Sequence, residues 1–292
     1  MTPKEVDMLI FGLGWTSQFL IPLLNKEKVE FVGTTTTGRD GSYKFKFEYH
    51  QARDEQSEDS LEQYRALPTS GTLLITFPIR GKDAMKYFMN SYKDTHGKKS
   101  DYKVILLGSS GIWSIENQEL WVTRHSKYDA TDARAEAEDW LMQQGGCAMD
   151  LSGLWGGERQ VKHWIDRVAA TKEQLKSKNS LHMIHGEDVA RAIVAVYLKF
   201  GEASGQRWLL TDLVVYDWWE LILGFGGELD SQNGNDKRAQ TQLKWVGELM
   251  EEQNIRALPR SMGQLGRCYD TLEFWKTFGL MPTRARLSSV AF

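Results

Sequence analysis

Apolar positions along this chain fall into two alternating patterns: short runs that are apolar throughout, and longer polar segments with an apolar stripe at helical spacing. The first run lies within Asp7–Leu20 (DMLIFGLGWTSQFL). It ends in Gly12-Leu13-Gly14 and passes at once into an apolar-periodic segment, which predicts a strand, a tight glycine turn and a helix whose N-terminus faces the turn. Val29–Gly33 predicts a second strand, and residues 44–49 (KFKFEY) alternate as a short further one. Thr72–Phe77 (TLLITF) predicts a buried strand stopped by Pro78, residues 82–93 a helix, and Tyr102–Leu107 (YKVILL) another buried strand leading into Gly108-Ser109-Ser110-Gly111. Thr131–Gln144 predicts a helix with a Leu/Trp face, stopped by Gly145-Gly146, and Cys147–Leu151 a further strand. The wholly polar residues 51–60 predict a loop, and Lys98-Lys99-Ser100 a solvated turn.

Strand, helix and strand in repetition, with strands apolar on both faces, predict an α/β fold: a doubly wound parallel sheet covered on both sides, a Rossmann arrangement. Beyond about residue 152 the rhythm breaks. Residues 160–176, 187–200, 215–224 and 238–253 predict helices, Trp208–Leu210 a short strand, and Leu229–Arg238 a loop. The expected organisation is a nucleotide-binding domain over 1–152 and a smaller, mainly helical substrate lobe over 153–292. The two are interleaved as one unit, and the lobe lies over the strand C-termini where open α/β sheets bind ligands.

The glycine turn carries the first candidate chemistry. A helix N-terminus presents unpaired N–H groups and a partial positive charge, so Gly12, Gly14, Trp15, Thr16 and Ser17 form an expected seat for a dinucleotide's phosphates. Ser17 replaces the third glycine of G-x-G-x-x-G, and its small side chain preserves close helix–strand packing. Where the second strand ends, an acidic residue would bond a ribose 2′-hydroxyl; here the sequence is Gly33-Thr34-Thr35-Thr36-Thr37-Gly38-Arg39. Hydroxyls and a guanidinium suit a 2′-phosphate that a carboxylate would repel, so NADP is expected over NAD, with Arg39, Thr35 and Thr36 at the phosphate. The alternative is that Gly38–Gly41 is an exposed turn whose charges are merely solvated. No Gly-Lys-Ser/Thr follows the glycines, which sets aside a Walker-type NTP site.

Net charge is −3, which offers nothing to nucleic acid or to a membrane surface, and no apolar run is long enough to span a bilayer. Cys147 and Cys268 stand far apart with no metal or disulfide spacing. With no secretory pattern before the first apolar run, the expected compartment is cytoplasmic. His182-x-x-His185 with Asp188 lacks the three or four converging ligands zinc needs, so no metal is expected. Glu136 and Glu138 cannot face each other on a helix and read as a solvated face.

GLGWTSQFL, TLLITFP, VILLGSSGIW, ARAEAEDWL, MDLSGLWGGER and HMIHGEDVARAIVAVYL follow one another in an order that resembles the extended short-chain dehydrogenase/reductase superfamily, closest to its atypical members, over about residues 6–285. The resemblance implies an NAD(P)-binding protein, with Phe77, Pro78, Arg80 and Ser109 also lining the cofactor. It implies a catalytic Ser or Thr and a Tyr-x-x-x-Lys pair sharing one helix face. Ser110 fits the serine. Arg134 falls at the lysine and Ala130 at the tyrosine, so the usual pair is absent. Tyr128 lies two residues before Ala130, but six residues from Arg134 it would face another side of a continuous helix. His125 is a further acid–base candidate. The resemblance places Trp113, Trp121, Trp155 and Trp164, with Arg159 and His163, around a substrate cleft; the alternative for each of these is core packing. His185 and Asp188 are expected to organise a strand-to-helix junction, and residues 131–144 to pair two copies if the chain is a homodimer rather than a monomer.

These readings lead to an expected NADP-dependent oxidoreductase acting on a small organic carbonyl, imine or alcohol. Ser110 would orient the substrate, Arg134 would hold a ribose or phosphate, and Tyr128 or a water would give the proton. The alternatives are a dinucleotide-binding regulatory or redox-sensing protein without turnover, and a non-redox isomerase or lyase on the same fold.

Overall fold

The computed structural model describes residues 5–49, 58–97, 102–233 and 237–285. In chain order the first half runs β1 (Val6–Phe11), α1 (Ser17–Lys26), β2 (Phe31–Thr35), β3 (Tyr43–Lys44), α2 (Glu58–Arg65), β4 (Ser70–Ile75), α3 (Lys82–His96), β5 (Lys103–Ser109), β6 (Trp121–Val122), α4 (Ala133–Gln143) and β7 (Cys147–Leu151). The second half runs β8 (Gly153–Trp155), α5 (Ile165–Val168), α6 (Lys172–Lys176), β9 (Ser180–Leu181), β10 (Met183–His185), α7 (Gly186–Leu198), α8 (Phe200–Ala203), β11 (Arg207–Leu210), β12 (Tyr216–Asp217), α9 (Trp218–Asn233), α10 (Lys237–Glu252), α11 (Met262–Leu265), β13 (Cys268–Tyr269) and α12 (Leu272–Phe278).

Seven strands form one parallel sheet in the order β11-β7-β5-β4-β1-β2-β3. Successive side chains of a strand face opposite ways, and both faces are buried. Met8, Ile10, Leu74, Ile105 and Met149 pack beneath α1, α7 and α12. Leu9, Phe11, Leu73, Ile75 and Leu106 pack beneath α2, α3 and α4, with Tyr64, Phe88, Tyr92 and Leu141 filling the layer. The strand order reverses between β1 and β4, so a crevice opens at their C-terminal ends. A separate core lies in the later part of the chain, where Val161, Ile165, Leu175, Trp219, Ile222, Val246 and Leu249 gather.

Several elements depart from the sequence pattern for local reasons. Of the expected strand 44–49 only Lys44 pairs with β2, together with Tyr43 just before it, because β2 ends at Thr35; Phe45 then turns into the core. Residues 160–176 break into a 3-10 turn over Val161–Trp164, α5 and α6. Ala169 leaves helical dihedrals, and the Thr171 hydroxyl caps a new start by accepting the Gln174 N–H. Trp208–Leu210 does not stay with the lobe; with Arg207 it adds an edge strand to the main sheet. The segment from Leu229, expected as loop, is helical through Asn233. Gly226, which looks like a breaker, is a point of close approach: a Cβ there would lie 2.9 Å from the Leu243 side chain on α10. Residues 51–57 of the expected polar loop and the expected turn at 98–100 lie outside the described residues, while Glu58–Arg65 is α2.

The expected solvated face of α4 is half wrong. Glu136 is exposed, but Glu138 is 1% exposed. Arg207 of β11 reaches beneath α4 and donates to Glu138 Oε2 at 3.0 and 3.2 Å and to Asp139 Oδ1 at 3.1 Å, and its Nε lies 3.2 Å from Asp150 Oδ2. The cation that makes this burial tolerable comes from a strand 69 residues away, beyond the reach of any helix-face pattern.

Candidate functional site

The turn between β1 and α1 is built by hydroxyls from both neighbouring strands. Gly12 takes φ +100°, a region that favours glycine, and its N–H donates to Thr34 Oγ1 at 3.1 Å. Thr76, the first residue past β4, donates its hydroxyl to the carbonyls of Phe11 and Gly12 at 3.1 and 2.6 Å. A Cβ on Gly12 would stand 2.7 Å from that hydroxyl oxygen, so the residue must lack one. Leu13 N–H donates to the Thr34 carbonyl, and Ser17 Oγ donates to the Gly14 carbonyl at 2.5 Å. Ser17 thus fastens the turn to the helix.

At the tip of β2 the Thr35 hydroxyl accepts the N–H groups of Gly38 and Arg39 at 2.9 and 3.2 Å and pairs with Ser42 Oγ at 2.8 Å. Gly38 takes φ +73°. This local turn brings Arg39 back toward β1. Its one ion pair among the described residues is a 3.8 Å contact with its neighbour Asp40, both side chains being well exposed.

These two turns and the end of β4 enclose a cavity of about 480 Å³. Gly12, Gly14, Trp15 and Thr16 line it from the first turn, Thr35, Thr36 and Arg39 from the second, and Phe77 and Pro78 from β4. Leu13, Thr37, Thr76 and Leu154 complete the wall with Arg159, which the sequence analysis had assigned to the substrate. No carboxylate lines this cavity, among the described residues, and both of its charged residues are arginines. Thr76 and Leu154 were missed; the hydroxyl position directly opposite the glycine turn, just past a buried strand, is the signal that could have found Thr76.

Ser17, which directly follows the turn, and Ser109, at the end of β5, are not among the lining residues. Arg80 lines a second cavity, about 500 Å³, between the starts of α3 and α4. Lys82, Asp83, Ala130, Glu136 and Asp139 share that wall, whose charge is mixed.

The region of the expected catalytic residues is organised differently. The Ser109 hydroxyl accepts the Gly111 N–H at 3.3 Å, and the Ser110 carbonyl accepts the Tyr269 hydroxyl at 2.9 Å. Tyr269 also donates its N–H to His182 Nε2 at 3.0 Å, beneath a stacked ring pair 4.2 Å apart. Burial, with Arg267 nearby, pushes His182 down to about 3, so the ring is neutral at pH 7, as its acceptor role requires. Tyr269 and His182 therefore brace the Ser110 loop, a connection no sequence spacing announces.

Asp132 caps α4 by accepting the Arg134 N–H at 2.7 Å, so Ala130 and Tyr128 precede the helix and only Arg134 lies on it. The Tyr128 hydroxyl donates to Asp139 Oδ1 at 2.8 Å, and its ring lies 4.3 Å from the Arg207 guanidinium carbon. Burial raises its pKa. His125 is exposed and pairs with Glu273 at 2.9 Å.

The expected substrate residues are dispersed. Trp113 is fully buried and donates its indole N–H to the Ser126 carbonyl. Trp121 is exposed, Trp164 packs on the second core, His163 is exposed, and Trp155 lies edge-on to His185 with centroids 4.6 Å apart. His185 caps α7 by accepting the Glu187 N–H. Asp188 is fully buried, accepts the N–H groups of Thr283 and Arg284, and pairs with Arg191 at 2.7 Å.

No protein-family model matches this chain, and no curated protein matches it in sequence. Solved structures do share its fold. The yeast methylglyoxal/isovaleraldehyde reductase Gre2, complexed with NADPH, has a TM-score of 0.58 at 16% identity over 95% of this chain and 94% of that one. Gre2 from Candida albicans has a TM-score of 0.60 at 12% identity over 96% and 95%. MoeE5, solved with UDP-glucose and NAD, has a TM-score of 0.57 at 10% identity over 96% and 95%. The chain has the fold of the extended short-chain dehydrogenases/reductases, a seven-stranded parallel Rossmann-like sheet with flanking helices.

Proposed function

We propose that this chain is an NADP-dependent oxidoreductase that acts on a small organic carbonyl, imine or alcohol. The observation that carries the proposal is the cavity at the strand-order reversal. A positive-φ glycine turn at the start of α1 lines it together with Arg39 and the threonines of the β2 tip, and no carboxylate does, among the described residues. Such a wall suits a ligand with several negative charges. When bound, the nicotinamide supplies the hydride exchanged with the substrate. That two neighbours of the same fold were solved with NADPH and with NAD supports a nicotinamide cofactor; the choice of NADP rests on Arg39, which would meet a 2′-phosphate that a carboxylate would repel.

In this reading Thr35 and Thr36 hold the ribose end with Arg39, Phe77 and Pro78 cover the base, and Ser110 orients the substrate oxygen by its hydroxyl. Arg134 holds a ribose or phosphate through the fork of its guanidinium N–H donors, a geometry made for an anion rather than for proton transfer. The proton comes from water or from Tyr128. The test is NADPH consumption by the purified chain over a panel of aldehydes, ketones and imines. Substrate-dependent oxidation by at least one member is expected; no consumption above background across the panel would overturn turnover.

One observation favours a second reading, a dinucleotide-binding regulatory or redox-sensing protein. Ala130 stands where the family tyrosine would, and the Tyr128 hydroxyl is already given to Asp139. NADPH binding without consumption, together with a partner that distinguishes NADP from NADPH, is its signature.

A further inference from the structure

Residues 156–159 form a tight turn that lies across the start of α1. Gly156 and Arg159 exchange backbone hydrogen bonds at 2.9 and 3.2 Å, and Gly156 and Gly157 take φ +110° and +59°. There is no room for side chains beneath the turn. A Cβ on Gly156 would fall 2.3 Å from His185 Nε2, and one on Gly157 would fall 2.8 Å from Gln18 Oε1 of α1. Trp15, in the glycine turn itself, donates its indole N–H to the Gly156 carbonyl at 3.1 Å. The Arg159 guanidinium carbon then lies 4.5 Å from the centre of the Trp15 ring, on the wall of the cavity.

Arg159 is exposed and faces no carboxylate in an ion pair, among the described residues. Stacking on Trp15 uses the flat face of the guanidinium and leaves its in-plane N–H donors for an anion. The position is next to the first N–H groups of α1, which supply only a partial positive charge. A dinucleotide's diphosphate brings full negative charge to that place. Arg39 stands on the turn after β2 and Arg159 over Trp15 at the start of α1, both on the wall of one cavity, so the two arginines come to one ligand from different elements.

We propose that Arg159, held over the start of α1 by Trp15, binds the diphosphate of the cofactor rather than the substrate. The assignment rests on the dinucleotide reading above. It divides recognition between the two cations: Arg39 selects for the 2′-phosphate, while Arg159 contributes equally to phosphorylated and unphosphorylated dinucleotides.

Calorimetric titration of the full chain with NADPH, NADH and 2′-AMP tests it, since 2′-AMP carries the ribose phosphate and no diphosphate. Arg159→Ala is expected to weaken NADPH and NADH alike, each about tenfold, and to leave 2′-AMP within about twofold. Arg159→Lys, which keeps the charge, is expected to recover part of the loss. Arg39→Ala is expected to weaken NADPH and 2′-AMP and to spare NADH. If wild type binds NADPH and Arg159→Ala binds it equally well, the diphosphate assignment falls while the cofactor reading stands. Equal weakening of 2′-AMP by Arg159→Ala would also overturn the assignment, because the loss would then be unrelated to the diphosphate. If wild type binds neither dinucleotide, the cofactor reading fails and takes the assignment with it.

Discussion

Arg207 and the pair Arg39 and Arg159 meet opposite surroundings within one fold. Arg207 is 6% exposed beneath α4, with carboxylate oxygens of Glu138, Asp139 and Asp150 all within 3.2 Å. Arg39 and Arg159 are exposed on the wall of a cavity that, among the described residues, no carboxylate lines. The first cation is fully answered inside the protein, and its neighbours exist to be neutralised by it. The other two meet no carboxylate in an ion pair, among the described residues, apart from the loose contact of Arg39 with Asp40, and Arg159 rests on the Trp15 ring. A charge that the fold leaves unanswered in a concave place is available to a ligand, and one surrounded by buried partners is a condition of folding.

Breaking the buried side should cost most. Arg207→Met leaves Glu138 and Asp150 without their cation and is expected to destabilise the chain by about 3–5 kcal/mol, read from urea unfolding midpoints. Arg39→Ala and Arg159→Ala should stay within about 0.5 kcal/mol of wild type, as exposed positions do. Comparable losses in all three would erase the distinction between the two regions. Gly12→Ala comes next. It forces a β-carbon onto the Thr76 hydroxyl at φ +100° and is expected to cost about 1–3 kcal/mol and to weaken NADPH binding; a variant as stable and as tight as wild type would show that the glycine turn is not held as described.

A subtler effect comes from the protonation of the buried cluster. Burial raises Glu138 to about 7, against an ordinary 4.5, and raises Asp150 well above its usual range with the charge of Glu138 adding to it. Between about pH 5 and pH 7 the native chain holds a proton that the unfolded chain has released, so this group's contribution falls as pH rises and is level above that window. Glu138→Gln removes the carboxylate that titrates in this window and its charge beside Asp150. Relative to that variant, wild type should lose stability as pH rises through the window; parallel profiles would contradict a shared proton.

The same contrast separates what was legible in the sequence from what was not. The glycine turn and the parallel sheet are local signals: a buried strand has to be apolar on both faces, and Gly12-Leu13-Gly14 directly after one has few structural uses. Thr35 and Arg39 could be read because the strand tip and its turn are contiguous in the chain. Arg207 with Glu138 and Asp150 could not, since the three come from separate elements and a helix-face argument sees only α4. Gly108 was another silent signal: a Cβ there would fall 1.8 Å from Asp150 Oδ1, so this glycine is a seat for a carboxylate and not only part of a loop. The brace from Tyr269 and His182 to Ser110, and the turn that carries Arg159 across Trp15, likewise join segments more than 70 residues apart.

The most direct test of the central claim is titration of the wild-type chain and Arg39→Ala with NADPH and NADH, followed by energy transfer from tryptophan to the nicotinamide. The account predicts micromolar NADPH binding, much weaker NADH binding, and a fall of about tenfold in that preference on removing the guanidinium. Equal affinity for the two cofactors in wild type, or binding of neither, would contradict it.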